Sequence, residues 1–508
     1  MRQARIHDVA IIGLGPTGAT LANLLGAMGI DTLVVDREPG LLNLPRAVHF
    51  DGEVMRLFQN MGLAESLAPH LRPSSGMQYL NSQGMLMLER KPAAVSGPQG
   101  WATNYLFHQP DLEGRLRQAI QRFPSVCVRE GVEAVSLQTT PHWVDLQLKP
   151  ITDPGRAESV QARWVVGCDG ARSIVREAIG GPMIDLGLHQ DWLVVDVELL
   201  EDVELPQATV QYCDPARPTT FVNVTGRRRR WEIMVMPDDD PHALLEPTTL
   251  WQLLLRWIRP TQARLVRSAL YTFHSLSASR WRRGRLRLAG DSAHQTPPFL
   301  GQGMCAGLRD AANLGWKLAA VVRDHADPQL LDSYESERLP HVHQFIDTAI
   351  RLGEIIQTTD PDVAAERDLR FAREGTTEIV NLSPSLGPGV HLGTAPAGTL
   401  PPQPRLSDGR RLDDALPANR FALLTTDPAS VQASPVARQT LERLDATLLH
   451  DDALAPWFES LGTRHVLLRP DRYLAAVSDT VTAIANWPID HWQVAGTSQA
   501  NTSGQTPD

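Results

Sequence analysis

Residues 8 to 36 read DVAIIGLGPTGATLANLLGAMGIDTLVVD, and no other stretch limits the fold as tightly. An apolar run ends at a glycine, a helix-like segment follows, and a second apolar run ends in Asp36. That is the pattern of a βαβ unit whose first strand is covered on both faces, so a parallel sheet flanked by helices is expected. Gly13, Gly15 and Gly18 form G-x-G-x-x-G between strand and helix. Gly13 permits the tight turn, Gly15 lets a pyrophosphate approach the backbone, and Gly18 lets helix pack on strand. The helix start, with Pro16 and Thr17, offers amide donors and a positive dipole end to phosphates. Asp36 can accept from a ribose hydroxyl. A dinucleotide site follows, but the fingerprint alone does not separate NAD from FAD, so a nicotinamide-dependent dehydrogenase stays open.

A chain of 508 residues is too long for one ordinary core, and two or three domains are expected. The net charge of -10 disfavours nucleic acid as a partner. The basic run Arg227 to Arg230 is expected on a solvated hairpin or loop. Lysine occurs only at Lys91, Lys149 and Lys317, which carries no functional reading. Cys127, Cys168, Cys213 and Cys305 are scattered, with neither disulfide nor zinc spacing. A reducing cytoplasm fits that pattern. The run after Arg2 and Arg5 breaks at glycine and reads as a strand rather than a signal peptide. No apolar run approaches eighteen residues, so no membrane span is expected.

Further along, HQPDLEGRLRQAIQRF from His108 reads as a helix, and residues 125 to 166 alternate as short strands. Residues 186 to 276 read mostly as strands with a helical insert, TTLWQLLLRWI. A long helical region runs to about Ile356, and residues 358 to 420 are rich in Pro, Gly, Asp and Thr, as in a linker or loose crossover. A small αβ unit and a polar tail complete the chain.

Two further motifs bear on the dinucleotide. CDGARSIVR carries Asp169-Gly170 after a strand, followed by Arg172 and Arg176. AGDSAHQTPPFLGQGM carries Gly290-Asp291 after a strand, then Pro297-Pro298 and the glycines Gly301 and Gly303 at a helix start. With the first fingerprint, these three motifs stand in the order found in flavoprotein monooxygenases of the aromatic hydroxylase class, and the chain resembles that family over about residues 7 to 356. The stretches PRAVHFDGEVMRLFQNMGL, QYCDPARPTTF, WEIMVMP, GQGMCAGLRDAANLGWKL and SYESERLPH resemble the 3-(3-hydroxyphenyl)propionate and 3-hydroxycinnamate hydroxylases. The chain departs from its look-alikes at Asp36, where flavin proteins more often carry Glu, at His49 and at Cys305.

The resemblance implies an α/β fold: a Rossmann-like FAD-binding domain (1–185 and 281–357) interleaved with a mostly β substrate domain (186–280). A crossover (358–420), a thioredoxin-like αβ unit (421–495) and a disordered tail (496–508) follow. It implies FAD as bound cofactor, NADH or NADPH as transient reductant and O2 as co-substrate. Product is a catechol from a 3-hydroxyphenyl-propanoate-like acid; another phenolic or polyketide ring, or a flavin dehydrogenase that inserts no oxygen, are the alternatives. By the same resemblance Asp291 accepts from the ribityl chain, unless it is merely a helix N-cap. Arg37, Arg46, Gln109, Asp169, Gly170, Gly290, Pro298, Gly301, Gly303 and Met304 surround the flavin. Tyr212, Arg217, Pro297 and His49 meet the substrate, with Arg217 on its carboxylate. His49, as a relay for the phenol proton, and Pro298, in the turn that reads the ring hydroxyl, are the candidates nearest the chemistry. His294 reads as packing or support. No metal is expected. A homodimer and a small aromatic acid are the expected partners, without nucleic acid or membrane.

Overall fold

The structure is a computed structural model that describes residues 5–42, 46–153, 155–323, 326–392 and 395–481. The expected tail, 496–508, lies outside the described residues.

Strand Ile6–Ile12 is the middle of a parallel sheet, as its unbroken apolar run requires. Thr32–Asp36 and then Val126–Glu130 lie to one side, and Glu158–Gly167 and then Leu286–Leu288 to the other. Helix Pro16–Ala27 packs on the long helix Gly303–Arg323, where Gly315 admits Leu21 and Leu24. Leu286–Leu288 returns to this sheet beside Glu158–Gly167, bringing the Gly-Asp motif to the strand ends beside the Gly13 turn.

The chain then crosses between sheets. After Leu288, residues His294–Gln295 pair with Ser277 and Leu276 as the edge of a nine-stranded sheet. This sheet is wider than residues 186–280: Met77–Asn81, Leu86–Arg90 and Thr377–Glu378 extend it. Its outer face packs Val195, Val210, Phe221, Trp231 and Ile233 under helix Pro247–Leu254. Parity places the neighbours of those residues on the inner face. Register aligns Val194, Glu232, Thr220, Gln211 and Tyr79 in one cross-strand row. Strand Arg228–Met234 also corrects the reading of the basic run. Arg228 is exposed, but Arg230 is buried against Asp196, with Nε 2.7 Å from Oδ1.

The segment expected as a loose crossover holds helix Pro361–Glu374 and buried anchors such as Val390 and Leu412. Its many prolines and glycines mark turns in packed chain rather than slack. Beyond it, a four-stranded sheet runs in the order Thr447–Leu449, Ala422–Thr425, His465–Leu468, Leu474–Ser478. It is an αβ unit; its likeness to thioredoxin rests on the sequence resemblance alone. A buried ionic cluster docks it onto the long helices. Glu337 accepts from Lys317 Nζ at 2.8 Å and from Arg469 Nη1 and Nη2 at 2.9 Å each. Burial alone would raise the Glu337 carboxyl, but Arg469 and Lys317 hold it well below the usual range. Removing one member leaves buried charges unpaired, at a cost of about 3–5 kcal/mol. Glu337→Ala should therefore lower stability by that order in urea unfolding, and open residues 375–420 to limited proteolysis. Unchanged unfolding would show that the cluster does not hold the unit.

Candidate functional site

The three glycines of the first turn are needed for three different reasons. Gly13 has φ +101°, and a side chain there would collide with the Cys168 carbonyl. A Cβ on Gly18 would strike the Gly13 carbonyl, whereas a Cβ on Gly15 would meet nothing within 4 Å. Gly15 therefore faces open space at the helix start, where Pro16 loses no needed N–H. Thr17 packs against Gly290 and Gly307, tying this helix to the Gly-Asp turn. Asp36 accepts from Leu14 N at 2.6 Å and Glu38 N at 2.8 Å, leaving a lone pair on each oxygen for a further donor. Arg37 is 62% exposed and pairs outward with Glu38 and Glu133, so the structure does not bring it to the site.

Gly290, at φ +67°, turns the chain so that Asp291 projects from an otherwise buried segment. Asp291 has no hydrogen-bond or ion-pair partner among the described residues, and it caps no helix. It is open to solvent, yet burial raises its carboxyl above the ordinary range while His294 and Arg46 pull it back. Both hold because Gly290 and Ser292 on either side are buried. Beneath the turn, Asp310 accepts from Gly290 N at 3.0 Å, His294 Nε2 at 2.7 Å and Arg338 Nε at 2.8 Å. Burial would raise Asp310; His294 and Arg338 outweigh it and bring the group to about 2. His294 is thus a supporting residue, as expected. Asp169 accepts from Ile174 N at 2.9 Å, and its Oδ1 is buried without a partner. Gly170, at φ +74°, starts the short turn that follows it. Arg176 donates to the Ser292 carbonyl at 3.0 Å, joining the second motif to the third.

Arg46 is exposed and close enough to Asp291 to lower its carboxyl. Gln109 acts one step back from the expected place. Its Oε1 accepts from Arg46 N at 2.7 Å and Ala47 N at 2.6 Å, and its Nε2 donates to Glu113. Arg230 fixes the same strand by donating to the Arg46 carbonyl at 2.7 Å.

Three further expected roles change, those of His49, Tyr212 and Arg217. His49 is 6% exposed, with Nδ1 3.1 Å from the Gly301 carbonyl and Nε2 2.9 Å from Asn104 Oδ1. Burial and the Arg90 charge lower it to about 4, so the ring is neutral near pH 7, has one N–H to donate, and is a poor proton acceptor. It supports Gly301, at φ +70°, where a Cβ would stand 2.9 Å from Nδ1. The Pro298 carbonyl accepts from Gly301 N at 2.8 Å, which closes the turn and leaves its second lone pair for another donor. Tyr212 lies on the outer face, where Trp257 Nε1 donates to its hydroxyl at 3.2 Å. Arg217 forms a two-pronged pair with Asp239 and is not available to a substrate carboxylate.

Gly303 opens helix Gly303–Arg323, Met304 packs against the main core, and Pro297 stands buried ahead of the turn. That turn faces the sheet's inner row: Tyr79 OH donates to the Phe299 carbonyl at 3.4 Å, and Phe299 packs on Trp192. A chamber of about 150 Å³ opens beside it, lined by Asp51, Arg90, Leu300, Gln302, Phe345 and Asn381. Sequence reasoning missed Asp310, Arg230 and Arg90. Asp310 was signalled by a lone carboxylate amid Ala306, Leu308, Ala311 and Leu314, and Arg230 by strand parity with Glu232.

The residues present fit a dinucleotide that extends as a polyol. An open glycine turn could receive phosphate, the unpartnered Asp291 could receive hydroxyls, and a helix start could meet the remaining end. The FAD binding domain family matches residues 7–349. The chain belongs to this family. A relative from Rhodococcus jostii (strain RHA1) named "Probable NADH-specific resorcinol 4-hydroxylase" is 41% identical over 366 residues, 72% of this chain and 68% of its own. The "3-(3-hydroxy-phenyl)propionate/3-hydroxycinnamic acid hydroxylase 2" of Burkholderia vietnamiensis (strain G4 / LMG 22486) is 34% identical over 93% of this chain and 94% of its own. The flavin-dependent monooxygenase PieE, solved with FAD and substrate, has the same fold, with a TM-score of 0.81 at 22% identity over 96% of this chain and 99% of its own. FAD as cofactor and FAD-dependent aromatic hydroxylase as class are borne out. Among the described residues no helix is long and apolar enough to cross a membrane, and no cluster suits a metal ion.

Asp291→Ala should retain the fold but weaken FAD binding about tenfold to a hundredfold, as loss of a charge-assisted hydrogen bond requires. Full FAD retention on dilution would remove Asp291 from the site. Asp310 adds a pH signature. Its folded value lies below the unfolded one near 3.9, so its stabilisation is complete above about pH 4 and fades as pH falls toward 2. The stability gap between wild type and Asp310→Asn in urea should narrow over that window; a gap independent of pH would contradict it.

Proposed function

We propose that the chain hydroxylates a phenol bearing a short acidic side chain, 3-(3-hydroxyphenyl)propanoate or 3-hydroxycinnamate, to the 2,3-dihydroxy product, with NADH or NADPH as reductant. The observation that carries this reading is the near full-length match, 93% of this chain and 94% of its relative, to a protein named for those acids. When bound and reduced by NAD(P)H, FAD would supply the activation of O2, one atom of which enters the ring while the other leaves as water. The chain's own residues do the rest. Asp291, Asp36 and the Gly15 turn bind; the Pro297-Pro298 turn and the inner row Glu232, Thr220, Gln211 and Tyr79 orient the ring and exclude water.

A second reading is favoured by the higher identity, 41%, of the protein named as a resorcinol hydroxylase, although that match covers only 72% of this chain. The two are separated by a panel of phenols scored for NAD(P)H oxidation coupled to catechol formation. The acid reading predicts tight coupling and a higher kcat/KM for 3-(3-hydroxyphenyl)propanoate than for resorcinol. The reverse order would overturn it.

A further inference from the structure

Nine arginines are buried among the described residues: 56, 90, 230, 287, 309, 338, 367, 469 and 472. Eight have a carboxylate within 4 Å; Arg90 has none. Arg90 is 7% exposed, and its buried Nε has no hydrogen-bond partner. A guanidinium taken out of water without an anion is costly, and a side chain this long escapes to solvent when nothing else holds it.

Arg90 ends strand Leu86–Arg90 opposite Met77, on the sheet's inner face, and lines the chamber beside Leu300 and Gln302. Both carboxylates in the chamber's lining are committed elsewhere: Gln302 and Arg309 donate to Asp51 Oδ2 and Val54 N to its Oδ1, while Arg309 and Tyr473 donate to Glu53. Other polar groups nearby are neutral. Asn104 donates to Asn381 at 3.2 Å, and His49 is kept uncharged.

We infer that Arg90 is the specificity-determining residue of the chamber and pairs with a carboxylate on the substrate. The inference rests on the reading of the chain as a phenolic-acid hydroxylase and deepens it. A phenol is uncharged at neutral pH, with a pKa near 10, whereas a carboxylate is fully ionised and matches the planar guanidinium fork. A neutral diphenol would leave Arg90 buried and unpaired.

The test uses FAD-loaded wild type, Arg90→Met and Arg90→Lys. Each is titrated with 3-(3-hydroxyphenyl)propanoate and with its primary amide, following the flavin absorbance change, and thermal unfolding is recorded alongside. Wild type should bind the acid at least about tenfold more tightly than the amide, as a charge-assisted pair implies. Arg90→Met should erase that preference by weakening the acid alone, and Arg90→Lys should keep part of it. Arg90→Met should also melt at or above wild type, because it removes an unpaired buried charge. A retained acid preference in Arg90→Met, or a lower melting point with both affinities falling together, overturns the role. If wild type shows no acid preference at all, the substrate reading fails and Arg90's role with it; a wild-type preference untouched by Arg90→Met overturns the role alone.

Discussion

The carboxylate of Asp310 holds the site together. It sits with no exposure in the middle of a long helix and accepts from three separate elements: the Gly290 amide, His294 and the Arg338 guanidinium. An isolated carboxylate there would cost many kcal/mol of lost hydration. Three convergent donors reverse that penalty, so the turn, the helix and the helix beyond it are fixed relative to one another. The Gly290 turn then has one geometry, and Asp291 projects outward because the residues on either side are buried. The same stretch next joins the edge of the second sheet through His294 and Gln295. One short segment therefore aligns the parallel sheet with the nine-stranded sheet, and a shift at Asp310 would displace both.

Charge pairing recurs throughout the molecule. Glu337 secures the C-terminal unit, Asp413 accepts from Arg56, and Asp196 holds the Arg230 that braces Arg46. Each is an anion surrounded by arginine donors, a geometry that satisfies both partners in the interior. Against this pattern Arg90 stands out through its chemistry, not its position.

The first fingerprint was legible in the sequence because its constraints are local. A positive φ at Gly13, a close approach at Gly18 and an apolar strand on either side leave few alternatives within thirty residues. The Gly-Asp motif was legible for the same reason, and so was the supporting part of His294. Strand parity was harder to read. Tyr212 was taken for the pocket, but its neighbours Gln211 and Cys213 face inward, and a one-residue change of parity reverses every side chain. Arg217 and Gln109 were misjudged because their partners, Asp239 and the Arg46 backbone, are set by long-range pairing that no local pattern announces. The sequence reading makes His49 a proton relay because imidazole usually titrates near neutrality; burial, visible only in three dimensions, removes that property. The crossover at 358–420 read as slack because proline and glycine mark turns equally in loose and in packed chain.

Oxygen insertion separates a hydroxylase from a flavin dehydrogenase of the same fold. The direct measurement is turnover of 3-(3-hydroxyphenyl)propanoate by the FAD-loaded enzyme under isotopically labelled dioxygen, with mass spectrometry of the product. One labelled oxygen atom in the dihydroxylated ring is the predicted result. A product without label, or NAD(P)H oxidation that yields only hydrogen peroxide for every phenol tried, would contradict it.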